Sequence, residues 1–305
     1  MSWDPARLPS QSGRTVAVTG ANAGLGFWTS YALAGAGASV VLACRDEGRA
    51  DAAVRAIRAH VPDADLSVLK LDTADLSSVR AAGEHLGGLA RLDALVLNAG
   101  IVHPPKHRAE TADGLELIAA TNFFGHFALA AAALPALDRT PDSRVVSLGS
   151  IASMLVSLRT DDLQLTRRYS SWQAYAQSKI MLSSFGFELD RRLRAQGSGI
   201  RSLVTHPGYS ISGRTPRVPG VNEPSRLKRF VDALQGPFTQ GKNQGAEPVL
   251  RAITDPDAAG GSSLGPRFLL KGEARFVKPA PITTDERTAR AIWAEAEVAT
   301  GTTLL

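Results

Sequence analysis

The sequence predicts an α/β protein: a doubly wound parallel sheet with helices on both faces and a C-terminal extension on the side of the site. Three observations predict it. Over the first 207 of 305 residues, short aliphatic or β-branched runs alternate with helix-length amphipathic stretches, the pattern of βαβ crossovers. A glycine-rich turn joins the first strand run to the first helical one. The composition, 44% hydrophobic against 21% charged, suits a soluble chain with a large core and argues against disorder.

The elements follow in order. Strands are expected at 15–18, 39–43, 66–71, 94–97, 144–148 and 200–205, each a run of valine, leucine, isoleucine or alanine bounded by polar or turn residues. Helices are expected between them at 25–36, 47–60, 76–86, 115–137 and 172–194. From 208 to 245 the chain turns rich in proline, glycine, arginine and asparagine, with a short helix at 225–234. A helix at 246–254, a strand at 266–270, a paired segment at 274–277 and a final helix at 284–300 complete it. No independent core is visible in this last part, so it reads as an extension of the same domain.

Charge and cysteine narrow the function classes. The net charge is +5, from 34 basic and 29 acidic residues, and most of the excess is arginine spread singly along helix-like segments. No basic stripe with interleaved aromatics appears, so a nucleic-acid partner is not expected. The densest basic stretch, 214–229, is cut by Pro216, Pro219 and Pro224 and reads as a loop near a site. The 28 glycines show no three-residue period, which excludes a collagen-like chain. Cys44 is the single cysteine, so no intramolecular disulfide forms and a reducing compartment is implied. Residues 1–14 are polar, and the longest apolar stretch, 123–137, carries His126 and Pro135. It is shorter than the ~20 residues a membrane-spanning helix needs. The expectation is a soluble, cytoplasmic protein without a membrane partner. The six histidines are scattered, and Pro104-Pro105 separates His103 from His107, so no metal site is expected.

The first strand runs into Thr19-Gly20-Ala21-Asn22-Ala23-Gly24-Leu25-Gly26. Gly20 can take the positive φ of a tight turn, Gly24 lets a pyrophosphate approach the backbone, and Gly26 allows helix and strand to pack closely. The phosphate then sits on the free N–H groups at the helix start. Gly20, Asn22, Gly24, Leu25 and Gly26 are therefore candidate cofactor contacts of a dinucleotide site. The second strand ends at Cys44-Arg45-Asp46. An acid at its end would hold the ribose hydroxyls of NAD; Arg45 can instead fork onto a 2′-phosphate, which selects NADP(H). Asp46 would oppose this if it pointed inward.

These motifs and their order resemble the short-chain dehydrogenase/reductase family over residues 14–212. Leu71-Asp72 resembles the family's adenine-contacting pair, and Asn98-Ala99-Gly100 the segment lining the cofactor. Asn122 falls where the family carries its catalytic asparagine, and Gly149-Ser150 closes the fifth strand. Tyr175 and Lys179 match the Tyr-x-x-x-Lys motif, and His206-Pro207-Gly208 follows the sixth strand. The 25-residue spacing from Ser150 to Tyr175, with Ala43-Cys44-Arg45-Asp46 and Gly125-His126-Phe127, is similar to the retinol-dehydrogenase-like branch. Leu97 departs from the pattern, standing where a second asparagine is common.

The resemblance implies a single Rossmann-type NADP-binding domain over 1–305, with 14–207 as cofactor and catalytic core and 208–305 as substrate side. Tyr175 and Lys179, four apart on a helix, leave the same face, and an ammonium beside a phenol lowers the phenol's pKa. The family's catalytic set would be Asn122, Ser150, Tyr175 and Lys179, with Tyr175 as acid or base. Pro207 and Gly208 would cross the nicotinamide, and Ser212 would hold its carboxamide. Substrates expected are the carbonyl or alcohol of an apolar or polycyclic small molecule, with Tyr209, Trp172, Met154 and Phe124 as pocket candidates, Phe124 being expected in the core before the pocket. A homodimer or homotetramer through the 115–137 and 172–194 helices also follows. The alternatives are a non-catalytic NADP-binding sensor or scaffold, and an NADPH-dependent C=C reductase.

Overall fold

The computed structural model describes residues 3–305; Met1 and Ser2, the start of the polar N-terminal stretch, lie outside them. The first half alternates as β1 (Thr15–Thr19), α1 (Gly24–Gly35), β2 (Ser39–Cys44), α2 (Glu47–Arg58), β3 (Leu66–Lys70), α3 (Leu76–Gly87) and β4 (Ala94–Leu97). Then come α4 (Leu117–Ala119), a π-helical turn (Ala120–Phe124), α5 (Gly125–Arg139), β5 (Arg144–Leu148), α6 (Ser171–Ala195) and β6 (Arg201–Thr205). The remainder comprises β7 (Ser210–Ile211), α7 (Arg226–Leu234), β8 (Gln240–Gly241), α8 (Lys242–Gly245), α9 (Glu247–Thr254), β9 (Ser263–Pro266), β10 (Ala274–Phe276), α10 (Pro281–Thr284) and α11 (Glu286–Thr300).

Eight strands form one sheet in the order β10-β9-β6-β5-β4-β1-β2-β3. All neighbours are parallel except β10 against β9. β1 lies between β2 and β4, with Val16 beside both Val40 and Ala94. The chain therefore winds outward from β1 in both directions, leaving a crevice at the strands' carboxyl ends where the order reverses. Each face is covered by helices. Phe27, Leu33, Ile57, Val249 and Ile253 fill one side; Phe123, Phe127, Leu182, Phe185 and Trp293 fill the other.

Two expected elements differ. The strand expected at 266–270 lies earlier, at Ser263–Pro266. Its aliphatic run instead forms a tight turn, where Leu269 adopts φ 62° and Leu269 N donates to Pro266 O at 3.0 Å. Pro266 has no N–H for a ladder, so it ends the strand rather than beginning one. The single helix expected at 115–137 is broken by the π turn, which re-aims Asn122. Its run, Leu117–Arg139, is 23 residues and is long and apolar enough to cross a membrane. Here it lies mostly buried, packed against α3, α6 and α11.

The last helix completes that face. Trp293 stacks edge-on to Phe127 at 5.2 Å, lies 5.7 Å from Phe185, and carries the Arg192 guanidinium 4.0 Å above its ring. Trp293→Ala should cost about 3–5 kcal/mol through the lost burial and the cavity left behind. Chemical denaturation should show it as a lower midpoint with an unchanged slope.

Candidate active site

The glycine turn is built as a cradle. Gly20 and Gly24 take φ of 67° and 61°, and a Cβ on Gly26 would meet Asn98 Nδ2 and Gly20 O at 2.5 Å. Ala23 caps α1 without a side-chain bond, and no acid occupies the first turn. The helix thus presents unsatisfied N–H groups and a positive dipole end to an anion. Above Gly24 only Lys242 comes near, its Nζ 3.7 Å from where a Cβ would stand. Burial and the charge of Lys228 hold its pKa below the ordinary lysine value. These features fit the phosphates of a dinucleotide. Asn22 and Leu25 are half-buried; the amides of Ala21 and Asn22 face the Cys44 thiol, which burial pushes up to about 11. Cys44 is therefore an inert packing residue.

The adjacent strand end is locked to this turn. Thr19 Oγ1 accepts the N–H groups of Asn98 and Ala99, both at 2.9 Å, and Asn98 Nδ2 donates to Thr19 O at 2.6 Å. Asn98 is thus spent on holding the turn. Further out, Arg45 is mostly exposed and reaches Asp72 at 3.7 Å. Asp46 faces away, its carboxylate capping α2 through Arg49 N at 2.9 Å, which leaves Arg45 free of it.

Asn122 sits in the π turn, fully buried. Its Oδ1 accepts from Ile101 N at 2.8 Å, and its Nδ2 donates to Ser178 Oγ at 2.9 Å. Ser178 Oγ in turn donates to the Tyr175 carbonyl at 2.7 Å. A π turn widens the helix by one residue, and such turns recur at functional sites. A Cβ on Gly100 would stand 3.0 Å from Asn122 Oδ1 and 3.6 Å from Lys179 Nζ, so these three residues meet. Ser150 caps the short 3₁₀ turn Ile151–Met154 through Ala152 N at 3.2 Å. The Tyr175 hydroxyl donates to Ser150 Oγ at 3.4 Å. One turn on, Lys179 Nζ donates to the carbonyl of Leu148 at 2.8 Å.

The electrostatics differ from expectation at Tyr175. Burial raises the phenol above its ordinary value, partly offset by the Ser150 bond. The lysine does not lower it, because its ammonium is turned to the Leu148 carbonyl. Lys179 itself is pushed down to about 8 by burial.

The outer residues are less tightly drawn in. Pro207 and Gly208 follow β6, with Pro207 O accepting from Gln240 Nε2 at 2.9 Å. Ser212 opens a 3₁₀ turn, and its carbonyl accepts from Asn222 Nδ2 at 3.3 Å. Of the pocket candidates, Phe124 is core, whereas Met154, Trp172 and Tyr209 are exposed. A small cavity of about 30 Å³ lies beside Ser150, lined among others by Ser153, Met154, Phe187 and His206.

The matched family model is that of the short chain dehydrogenase, over residues 14–218. The chain belongs to the short-chain dehydrogenase family. A polyprenol dehydrogenase of Mus musculus is 36% identical, with 97% of this chain and 87% of that one aligned. Retinol dehydrogenase 13 of Homo sapiens is 35% identical over 93% of this chain and 83% of its own. Among solved structures, an uncharacterized protein from Mycobacterium paratuberculosis is 37% identical, with both chains fully covered and a TM-score of 0.81. This short-chain dehydrogenase is thus of the retinol-dehydrogenase-like kind, an oxidoreductase of the alcohol dehydrogenase/ketoreductase type that binds a nicotinamide cofactor.

Lys242 escaped the sequence reading, and so did the role of His126, which the sequence offered only within Gly125-His126-Phe127. Lys242 lies more than 200 residues from Gly24, and only the packing of α8 on α1 brings it to the dehydrogenase's glycine turn. His126 follows Asn122 by one helical turn, a spacing that could have drawn notice. Its Nδ1 donates to Asn122 O at 3.1 Å, leaving Nε2 to accept the Thr19 hydroxyl at 3.0 Å.

Burial holds His126 and His206 neutral, at about 3 and about 4. Unfolded, each returns to about 6.5. Between these values the unfolded chain binds more protons, so stability is full above 6.5 and falls as pH drops toward 4. Denaturant midpoints measured from pH 7 to pH 4 should fall, and His206→Asn should flatten that fall.

Proposed function

We propose that this dehydrogenase transfers a hydride between NADP(H) and the carbonyl or alcohol of an apolar or polycyclic small molecule, with Tyr175 as acid or base. The observation that carries the reading is the Tyr175 hydroxyl on Ser150 Oγ, with Lys179 buried one helical turn away. Bound NADP(H) supplies or accepts the hydride. In the reductive direction Tyr175 gives its proton to the substrate oxygen as negative charge grows there. Ser150 donates to the same oxygen and holds it. Lys179 would hydrogen-bond the nicotinamide ribose, and its charge, if turned from Leu148 toward the phenol, would lower the Tyr175 pKa. Asn122 positions a water that passes a proton to Lys179 from solvent.

The cofactor contacts fall to Gly20, Asn22, Gly24, Leu25 and Gly26 for the diphosphate, with Asp72 on the adenine and Arg45 on the 2′-phosphate. Asn98, Ala99 and Gly100 line the nicotinamide side, and Pro207, Gly208 and Ser212 close over it. Arg45 supports the choice of NADP(H), since its fork is exposed and Asp46 is used as a helix cap. The names of the polyprenol and retinol dehydrogenase relatives favour an apolar alcohol or carbonyl.

The chain is read as one catalytic unit, because residues after 207 extend the same sheet and cover both its faces. The single buried thiol of Cys44 suits a reducing, cytoplasmic setting. A homodimer or homotetramer would have to use surface other than the helix faces that α3 and α11 already cover.

Fluorescence titration should show NADPH binding more tightly than NADH, and Arg45→Ala should remove about tenfold or more of that preference. Equal affinity in the wild type would reassign Arg45 to solvent. Tyr175→Phe should lower kcat by about 10²–10⁴-fold while cofactor affinity holds; full turnover in that variant would sink the acid/base role.

A further inference from the structure

Helix α7 is inside out. Leu227, Phe230, Val231 and Leu234 recur at helical spacing, and Phe238 continues the stripe. Such a stripe normally faces the core. Here Leu227, Phe230 and Leu234 are 72%, 64% and 69% exposed, and Val231 and Phe238 are exposed as well. The one buried residue of the helix is its acid: Asp232 accepts Gly213 N at 2.8 Å and pairs with Lys228 at 3.1 Å. The helix is thus held to the body by a carboxylate and shows its apolar side outward.

The patch continues across the neighbouring turn. Phe268 and Leu269 are exposed, and that turn is pinned to the end of α7 by Lys271 Nζ on Gly236 O at 3.1 Å. The surrounding charge is mainly positive, the exposed acids Glu223 and Glu273 being paired with Arg217 and Arg275. Arg226, Lys228 and Arg229 on the helix are exposed, as is Arg267 on the turn, and Lys271 stands beside it. The only acid of α7 is turned inward. Monomers seldom expose so contiguous an apolar surface without using it.

We propose that this face docks in the plane of an anionic lipid surface, with the aromatic and leucine side chains entering the headgroup boundary and the arginines and lysines meeting lipid phosphates. An apolar stripe rimmed by cations is the pattern of helices that lie on membranes. A second copy of the chain fits less well, since a twofold contact would set the same cationic rim against itself. The expectation of no membrane partner rested on the search for a spanning segment, a test that an in-plane helix does not meet. The Tyr209 hydroxyl, 3.3 Å from Gln235 Oε1, joins the patch to the loop that follows β6 beside the site. An apolar substrate of the reaction proposed above would therefore leave the lipid at the mouth of the crevice.

Co-sedimentation of the full chain with vesicles tests this directly. The wild type should bind phosphatidylcholine vesicles carrying about one third phosphatidylglycerol, and not phosphatidylcholine alone. Phe230→Ser with Leu234→Ser, and separately Arg226→Glu with Arg229→Glu, should each weaken that binding at least about tenfold. Both double variants should keep the wild-type melting temperature, because their side chains are exposed. No binding to anionic vesicles, or equal binding by wild type and variants, would overturn the proposal while leaving the cofactor reading intact. Concentration-dependent dimers abolished by the same serine substitutions, without vesicles, would overturn it in favour of self-association. Loss of NADPH binding in the wild type would instead strike the reaction and spare the lipid contact.

Discussion

One hydroxyl, that of Thr19, ties the site together. It accepts two backbone N–H groups from the end of β4 and reaches His126, which in turn holds the carbonyl of Asn122. The glycine turn, the segment at Asn98–Gly100 and the π turn therefore share a single anchor in the crevice where the strand order reverses. Every donor and acceptor in this buried knot is satisfied, and that condition is what makes a polar cluster at the heart of a sheet tolerable. A small error there would move the glycine turn and Asn122 together.

Burial sets the chemistry around that anchor. Lys179 has no carboxylate to compensate it, and the cost of desolvation brings its pKa to about 8. An ammonium so placed can exchange a proton near neutral pH, which an exposed lysine does poorly. The same desolvation lifts the Tyr175 phenol, so a reactive tyrosine requires the lysine's charge to be turned toward it. The side chains supply the groups and the sheet supplies the low dielectric; neither alone would tune them.

Much of the architecture was legible because its signals are local. The alternation of apolar runs and amphipathic stretches gave six parallel strands within a residue or so, and the glycine spacing gave the turn. The motifs brought Asn122, Ser150, Tyr175 and Lys179 to one crevice, as their order along the chain implied. What escaped depends on distance in the sequence. Lys242 reaches Gly24 only through the packing of α8 on α1. The π turn at Asn122 leaves the periodicity of its helix almost unchanged. The run at Phe268–Leu270 looked like a strand because β propensity was read without the positive φ of Leu269, which tertiary pairing imposes. The outward stripe of α7 was hidden for the same reason: periodicity shows that a helix has an apolar face, not which way that face looks.

The position of α11 has a consequence for synthesis. The aromatic face formed by Phe123, Phe127 and Phe185 is complete only when Trp293 packs on it, and Trp293 follows Phe185 by 108 residues in the chain. Until α11 is made, α5 and α6 present that surface with no cover, although the strands beside them can already pair. The nascent chain therefore waits, partly folded, for α11. A chain cut before Trp293 would leave those aromatic rings uncovered.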